Sequence, residues 1–203
     1  AMDLHAQLLL REPNLAPRVK ESLQEIREEV RSLLRLVLNL LDISKSEEGQ
    51  LAPRKADVNL IELSQTVLDA MQVKAKAGSV SLASQIGVER VVADPDLLRR
   101  VLENLLDNAL RHAPENSTVR LTASPREHTV EIRVQDEGPG VADDMREKIF
   151  ERFVQIESGA RIVTRTGRGL GLAFCKLAVE AHGGHIWIED AHPGAVFGFD
   201  LPK

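Results

Sequence analysis

The stretch ENLLDNALRHAP at 103–114 decides how this chain is read. In a helix, Asn104, Asn108 and then Arg111 or His112 follow at steps of four and three or four, so they share one face. Leu98, Val101, Leu102, Leu105 and Ala109 fall on the core side. Two carboxamides and a basic group in line suit a phosphate chain with its metal. An amide oxygen from Asn108 can complete an oxygen shell around Mg²⁺ that is otherwise made of phosphates and waters. Taken alone, the same pattern also describes a solvated polar face.

Two more signatures follow in order: DEGPG at 136–140 and TGRGLGL at 166–172. DEGPG comes directly after a strand ending at Gln135. Gly138 and Gly140 let the backbone approach a ligand closely. Asp136 offers a carboxylate to an exocyclic amine such as that of adenine. By itself this is an ordinary turn. In TGRGLGL, Gly167, Gly169 and Gly171 precede a helix opening near Leu170, presenting free N–H groups and a positive dipole end to an anion. The pattern is neither a P-loop nor a dinucleotide fingerprint. Residues 155–168 between the glycine stretches are polar and read as a lid, with Arg161, Arg165 and Arg168 as candidate phosphate contacts. A loop merely solvated by its arginines fits those residues equally. Each signature is weak singly; in this order, together, they describe a nucleotide pocket.

Composition narrows the class. Of 203 residues, 43% are hydrophobic, enough for a substantial core. A net charge of −5 gives no basic surface for nucleic acid. Cys175 is the sole cysteine, which excludes an internal disulfide framework and clustered-thiolate zinc sites. No apolar run approaches the roughly 18–20 residues that span a bilayer; residues 33–43 are interrupted by Arg35, Asn39 and Asp42. No signal peptide is expected in the chain, which is expected to be cytoplasmic and without membrane contact of its own, with room for a membrane anchor upstream in a longer parent protein.

Periodicity divides the chain at about residue 50. Residues 18–46 form a predicted helix whose Leu23, Ile26, Val30, Leu33, Val37 and Leu40 alternate by three and four. Leu34, Leu38 and Leu41 widen that stripe, so burial must deepen toward the C-terminal end. A shorter helical piece over 2–11 precedes it, with Pro13 and Pro17 bracketing the turn. The expectation for 1–50 is a truncated helical hairpin that dimerises into a four-helix bundle; the alternative is packing on the chain's own second part. Over 51–203, helices are predicted at 60–77, 95–112, 143–150 and 170–182. Strands are predicted at 80–86, 91–92, 119–123, 130–134, 185–189 and 195–201. Asp94-Pro95 reads as a helix cap with proline in the first turn. The mixture predicts an α/β fold, one mixed sheet covered by helices.

On these residues the chain resembles the C-terminal part of the sensor histidine kinases of two-component signalling, in the superfamily shared with gyrase, Hsp90 and MutL. LVLNLLDISKSEEGQL (36–51) is similar to the second helix of their dimerisation and phosphotransfer hairpin. VVADPDLLRRVLENLLDNALRHA (91–113) resembles the asparagine box and DEGPG the first glycine box. KIFERF (148–153) resembles the phenylalanine box. TGRGLGLAFCKLAVEAHGGHIWIED (166–190) resembles the second glycine box and GAVFGFDLP (194–202) the closing strand. The resemblance implies a Bergerat-type fold that binds ATP and Mg²⁺. It implies Asn108 as the Mg²⁺ ligand and Asp136 as the adenine reader, with Asn104, Arg111 and His112 along the phosphates. Gly138, Gly140, Gly167, Arg168, Gly169, Leu170 and Gly171 would shape the pocket, and Phe150 and Phe153 would anchor the lid. Gln155 stands where many relatives carry a basic residue.

The implied activity is transfer of the ATP γ-phosphate to a histidine, for relay to a response regulator. Hydrolysing relatives carry a general-base glutamate where this chain has Asn104; Glu103 is one helical step, about 100°, away. Asn104 therefore stands as the catalytic position and favours transfer over an ATPase; an anti-sigma-type serine kinase would not need the heptad hairpin, and the intact asparagine and glycine boxes count against a pseudokinase. No histidine has the acceptor pattern of an acidic neighbour and proline five positions on. His5 is followed by Ala6 and has Leu10 in the proline position, and His112, His128, His182, His185 and His192 lie in the second part. The acceptor is expected before residue 1.

Overall fold

The computed structural model describes residues 9, 15–47, 51–154, 156–157, 161–162 and 169–203. The expected helical piece at 2–11, apart from Leu9, lies outside them, as does His5. Alternation builds the sheet. Strands β4 (Thr118–Pro125) and β5 (Thr129–Gln135) bury Val119, Leu121 and Ala123, and Val130, Ile132 and Val134, because a strand turns every second side chain to one face. Strand β9 (Ala195–Pro202) pairs antiparallel with β5, setting Phe197 opposite Val134 and Phe199 opposite Ile132. Strands β2 (Ser81–Ile86), parallel to β4, and β8 (Ile186–Asp190), antiparallel to β9, complete the order β2-β4-β5-β9-β8.

Three helices supply most of the rest of the core. Helix α2 (Leu60–Ala77) contributes Val67, Leu68 and Met71, and α3 (Pro95–His112) contributes Leu98, Leu102, Leu105, Leu106 and Ala109. Helix α4 (Gly171–Ala181) adds Phe174, Cys175 and Ala178. Each large apolar side chain so buried stabilises the fold by about 1.5–3 kcal/mol. On the sheet's other side Trp187 lies over Gly198, where a Cβ would come within 2.6 Å of the ring. Arg133 there bridges Glu131 and Glu189.

Helix α3 starts where its sequence says it must. The Asp94 side chain accepts from the N–H groups of Asp96 and Leu97 at 3.0 and 3.1 Å, and Pro95 takes the first helical position. The Asp94 N–H itself donates to Nε2 of His182 at 2.9 Å, while Nδ1 of that ring meets the Ala178 carbonyl at 2.6 Å. An acceptor at Nε2 requires the proton on Nδ1, so His182 is held as one neutral tautomer. It is buried and ties the start of α3 to the end of α4.

The predicted helix over 143–150 is instead two 3-10 turns, Asp143–Met145 and Lys148–Phe150. Each is one short turn with bonds reaching back three residues, Met145 to Ala142 and Phe150 to Glu147, too little to propagate a helix. An unpredicted strand, β1 (Ala56–Asn59), pairs antiparallel with β3 (Arg90–Ala93) in its own ladder. It buries only Val58, so no alternation marks it. Strands β6 (Ile156–Glu157) and β7 (Arg161–Ile162) form a further short pair.

Helix α1 (Pro17–Glu47) is observed as expected, but its leucine stripe is not what packs on this chain. Ile26, Leu33, Val37, Leu40 and Leu41 are all more than half exposed, whereas Asn39 and Ile43 are buried.

The His182 bridge is testable by denaturant unfolding. His182→Leu keeps the volume but orphans the Asp94 N–H, and is expected to lower the unfolding free energy by about 1–3 kcal/mol. Unchanged stability would refute the bridge.

Candidate functional site

Burying the leucines of α3 turns Asn104 and Asn108 to its half-buried rim. Asn104 Nδ2 donates to the Arg100 carbonyl at 2.9 Å, which leaves Oδ1 facing the first turn of α4. A Cβ added at Gly171 would sit 3.1 Å from that oxygen. The second glycine stretch and the asparagine helix therefore meet at Asn104 and Gly171, a contact that glycine permits.

The first glycine stretch closes on the other end of α3. Gly138 donates its N–H to Asp136 Oδ1 at 2.8 Å, and a Cβ at 138 would lie 2.7 Å from the His112 carbonyl. Asp136 is 4% exposed. Burial raises its pKa, outweighing the opposing backbone N–H groups of Gly138 and Ala195 and the nearby His112. Partial burial and then the Arg111 charge lower the pKa of His112. Gly140 has φ +74°, in the region where glycine is at ease. Along α3, Asn104 and His112 are about 12 Å apart at 1.5 Å per residue, with Asn108 midway.

The remaining sequence-predicted residues divide. Phe150 is buried in the main core, and Phe153 packs beside Leu170 in a second, smaller cluster. Phe153 has φ +62° and its N–H donates to the Gly169 carbonyl at 3.1 Å, so both ends of the lid sequence are held together. Arg111 reaches back to Asp107 at 2.8 Å, and the same carboxylate pairs with Lys74 of α2. Gly167, Arg168, Arg165 and Gln155 lie outside the described residues, and of Arg161 only the backbone is described.

Sequence reasoning missed Gly194. It has φ +102°, and a Cβ there would overlap the Asp136 carbonyl, so the β8–β9 turn presses against the carboxylate's own backbone. The Pro193-Gly194 turn was visible in the sequence, but its neighbour was not. An open cleft of about 540 Å³ adjoins this region, lined by residues 138–143 and 190–194. It shares Gly138 and Gly140 with the site but none of the α3 side chains, so it borders the site rather than forming it.

Among the described residues no three His, Cys, Asp or Glu side chains cluster closely enough to hold a metal ion. A divalent ion held by the described residues would complete its shell with oxygens of a bound ligand and of water, and the rim amide of Asn108 fits that limited role. No helix of the described residues is long and apolar enough to cross a membrane.

Comparison with known proteins identifies the family. The family model of the histidine kinase-, DNA gyrase B- and HSP90-like ATPases matches residues 93–203. The sensor protein KdpD of Clostridium acetobutylicum is 37% identical over 191 residues, covering 92% of this chain and 21% of its own length. The chain thus spans about a fifth of that relative. The nucleotide-free catalytic domain of histidine kinase ThkA superposes with a TM-score of 0.66 at 31% identity, over 74% of this chain and 96% of that one. ThkA in complex with the response regulator TrrA shares the fold, with a TM-score of 0.67 at 23% identity, over 98% of this chain and 55% of that one. Full-length ShkA in complex with AMPPNP has a TM-score of 0.74 at 30% identity, over 99% of this chain and 42% of that one. With its mixed five-stranded sheet and the family match over its last 111 residues, the chain belongs to the histidine kinase-, DNA gyrase B- and HSP90-like ATPases, on the histidine kinase side of that family.

Proposed function

We propose that this chain is the ATP-binding catalytic portion of a sensor histidine kinase, residues 51–203 forming the catalytic unit and 1–50 part of a dimerisation hairpin. The observation that carries this reading is the meeting of both glycine stretches with opposite ends of the asparagine helix, at Gly171–Asn104 and Gly138–His112. ShkA, similar over nearly the whole chain, holds an ATP analogue. Bound Mg-ATP would supply the γ-phosphoryl group and a metal to offset its charge.

In this reading Asp136 accepts from the adenine amine, and its burial excludes water from that bond. Asn108 offers its amide oxygen to Mg²⁺, and Asn104 holds the phosphate end against α4. Arg111, which pairs with Asp107 and is more than half exposed, is the cation assigned to the phosphates. No carboxylate stands at the Asn104 position to activate water, so the chain positions a phosphoryl group for a nucleophile that is already competent, a neutral imidazole. The recipient histidine then passes it to a response-regulator aspartate, as the pairing of ThkA with TrrA suggests. The exposed leucines of α1 serve to pair two copies in the cytoplasm.

Mg-ATP titration tests the site. Asn108→Ala is expected to weaken binding about 10- to 100-fold, the equivalent of a charge-assisted hydrogen bond of about 1.5–3 kcal/mol. Wild-type affinity in that variant would sink the assignment, and steady phosphate release at the rate of a dedicated ATPase would favour hydrolysis.

The pH dependence of Asp136 has a definite sign. Its pKa is raised, so the folded chain keeps this proton to higher pH than the unfolded chain does. The group therefore favours folding at acid pH and loses that contribution as pH rises through the ordinary and then the raised value. Nucleotide binding runs the other way, because the carboxylate is the better acceptor. As pH falls, affinity should begin to weaken above the ordinary carboxylate range of about 4. In Asp136→Asn the affinity should be lower throughout and lack that inflection; an identical pH profile in the two proteins would count against the adenine role.

A further inference from the structure

Helix α1 meets the rest of the chain at the wall of the candidate site. Arg100, one turn before Asn104 on α3, directs its guanidinium to two α1 side chains. Nη2 donates to Asn39 Oδ1 at 2.8 Å, and Nη1 pairs with Asp42 Oδ2 at 2.5 Å. The same guanidinium lies 4.1 Å from the centre of the Phe174 ring, fully buried on α4. Beside Asp42, Ile43 is 1% exposed and packs with Leu170 and Ala173, which flank Gly171. Gly171 in turn abuts Asn104.

A largely buried arginine held by a carboxylate, an amide and a ring fixes a geometry more than it adds net stability, since desolvation offsets most of the attraction. What this arginine fixes is the place of α1 on the first turn of α4. We propose that Arg100, fastened by Asp42 and Asn39, is a positioning residue that seats α1 against α4 and braces Gly171 on Asn104, so that seating of α1 and nucleotide affinity are positively linked. The inference rests on the nucleotide-site reading above. Linkage is reciprocal: if the seated helix preorganises the site, bound nucleotide must strengthen the seating by the same factor.

The test uses the chain as it stands, with Mg-ATP as the probe. Asp42→Lys reverses the charge opposite Arg100 without touching the site and should raise the Kd about fivefold or more, within the usual range of coupling between sites. Asp42→Glu keeps the carboxylate and should restore most of the affinity, and Asn39→Ala, a milder change, should give a smaller loss of the same sign. In the wild type, Mg-ATP should slow amide hydrogen exchange in residues 39–43, and Asp42→Lys should abolish that response. A purely structural ion pair would lower thermal stability without making exchange in α1 respond to nucleotide. Wild-type or tighter affinity in Asp42→Lys, or α1 exchange indifferent to Mg-ATP, overturns the proposal. Asn108→Ala is measured beside it: if that variant binds normally, the nucleotide-site reading has failed, whereas a defect in Asn108→Ala alone strikes only the linkage.

Discussion

The buried leucine face of α3 is the constraint on which the candidate site depends. Leu98, Leu102, Leu105 and Leu106 are at most 2% exposed, and together they settle the rotation of the helix about its axis. With 100° between successive residues, that rotation leaves Asn104 and Asn108 on the rim. Slipping the helix by one residue would expose leucines and carry amides inward, at about 1–3 kcal/mol for each amide left without a partner. The orientation of the polar side chains is thus a by-product of core packing. The anchoring of the helix start to His182 keeps its height along the sheet fixed as well.

The walls around this rim are mostly backbone. Gly138 brings main chain to a distance that a Cβ would forbid, Gly171 lies where a Cβ would crowd Asn104 Oδ1 at 3.1 Å, and Gly194 presses on the carbonyl of Asp136 from behind. The electrostatics follow from the same crowding. Asp136 and His112 lie close enough to interact, yet burial shifts each toward its neutral form, the carboxyl upward and the imidazole downward. This end of α3 therefore disfavours extra charge and suits an uncharged base edge. The cationic Arg111 is more than half exposed and held by Asp107, which Lys74 also reaches. The Asp136–His112 pair and this exposed cation therefore stand at the same end of α3, kept apart by burial and not by distance along the helix.

Much of this was legible in local sequence. The period of two in β4 and β5 and the Asp94-Pro95 cap depend on neighbours within a few residues, and the structure reproduces them. What was not legible joins distant positions. Asp94 and His182 are 88 residues apart and Arg100 and Asp42 are 58 apart, and nothing in either neighbourhood names its partner. The two 3-10 turns at 143–150 were misread because Met145, Ile149 and Phe150 all face inward, which imitates a helical stripe over too short a run. Strand β1 was missed because a four-residue strand with one buried side chain carries no period. On α1 the heptad pattern was visible, but its reader was not: the stripe faces away from this chain, and Asn39 and Asp42, which look like interruptions of an apolar helix, make the contact.

That division gives α1 two independent faces. At 100° per residue, Asn39, Asp42 and Ile43 fall within one arc of about 100°, while Ile26, Leu33, Val37, Leu40 and Leu41 fall on a different one. A second copy seated on the leucines, as proposed above, would leave Arg100 and its partners undisturbed. Dimer packing and the contact with the candidate site need not compete for the same side chains. A rigid helix gripped on both faces transmits rotation from one to the other, because its backbone bonds resist twisting while side-chain contacts at its surface can be exchanged. Any change in how the leucine stripe is packed must then be felt at Asp42 and Ile43, and through them at the first turn of α4.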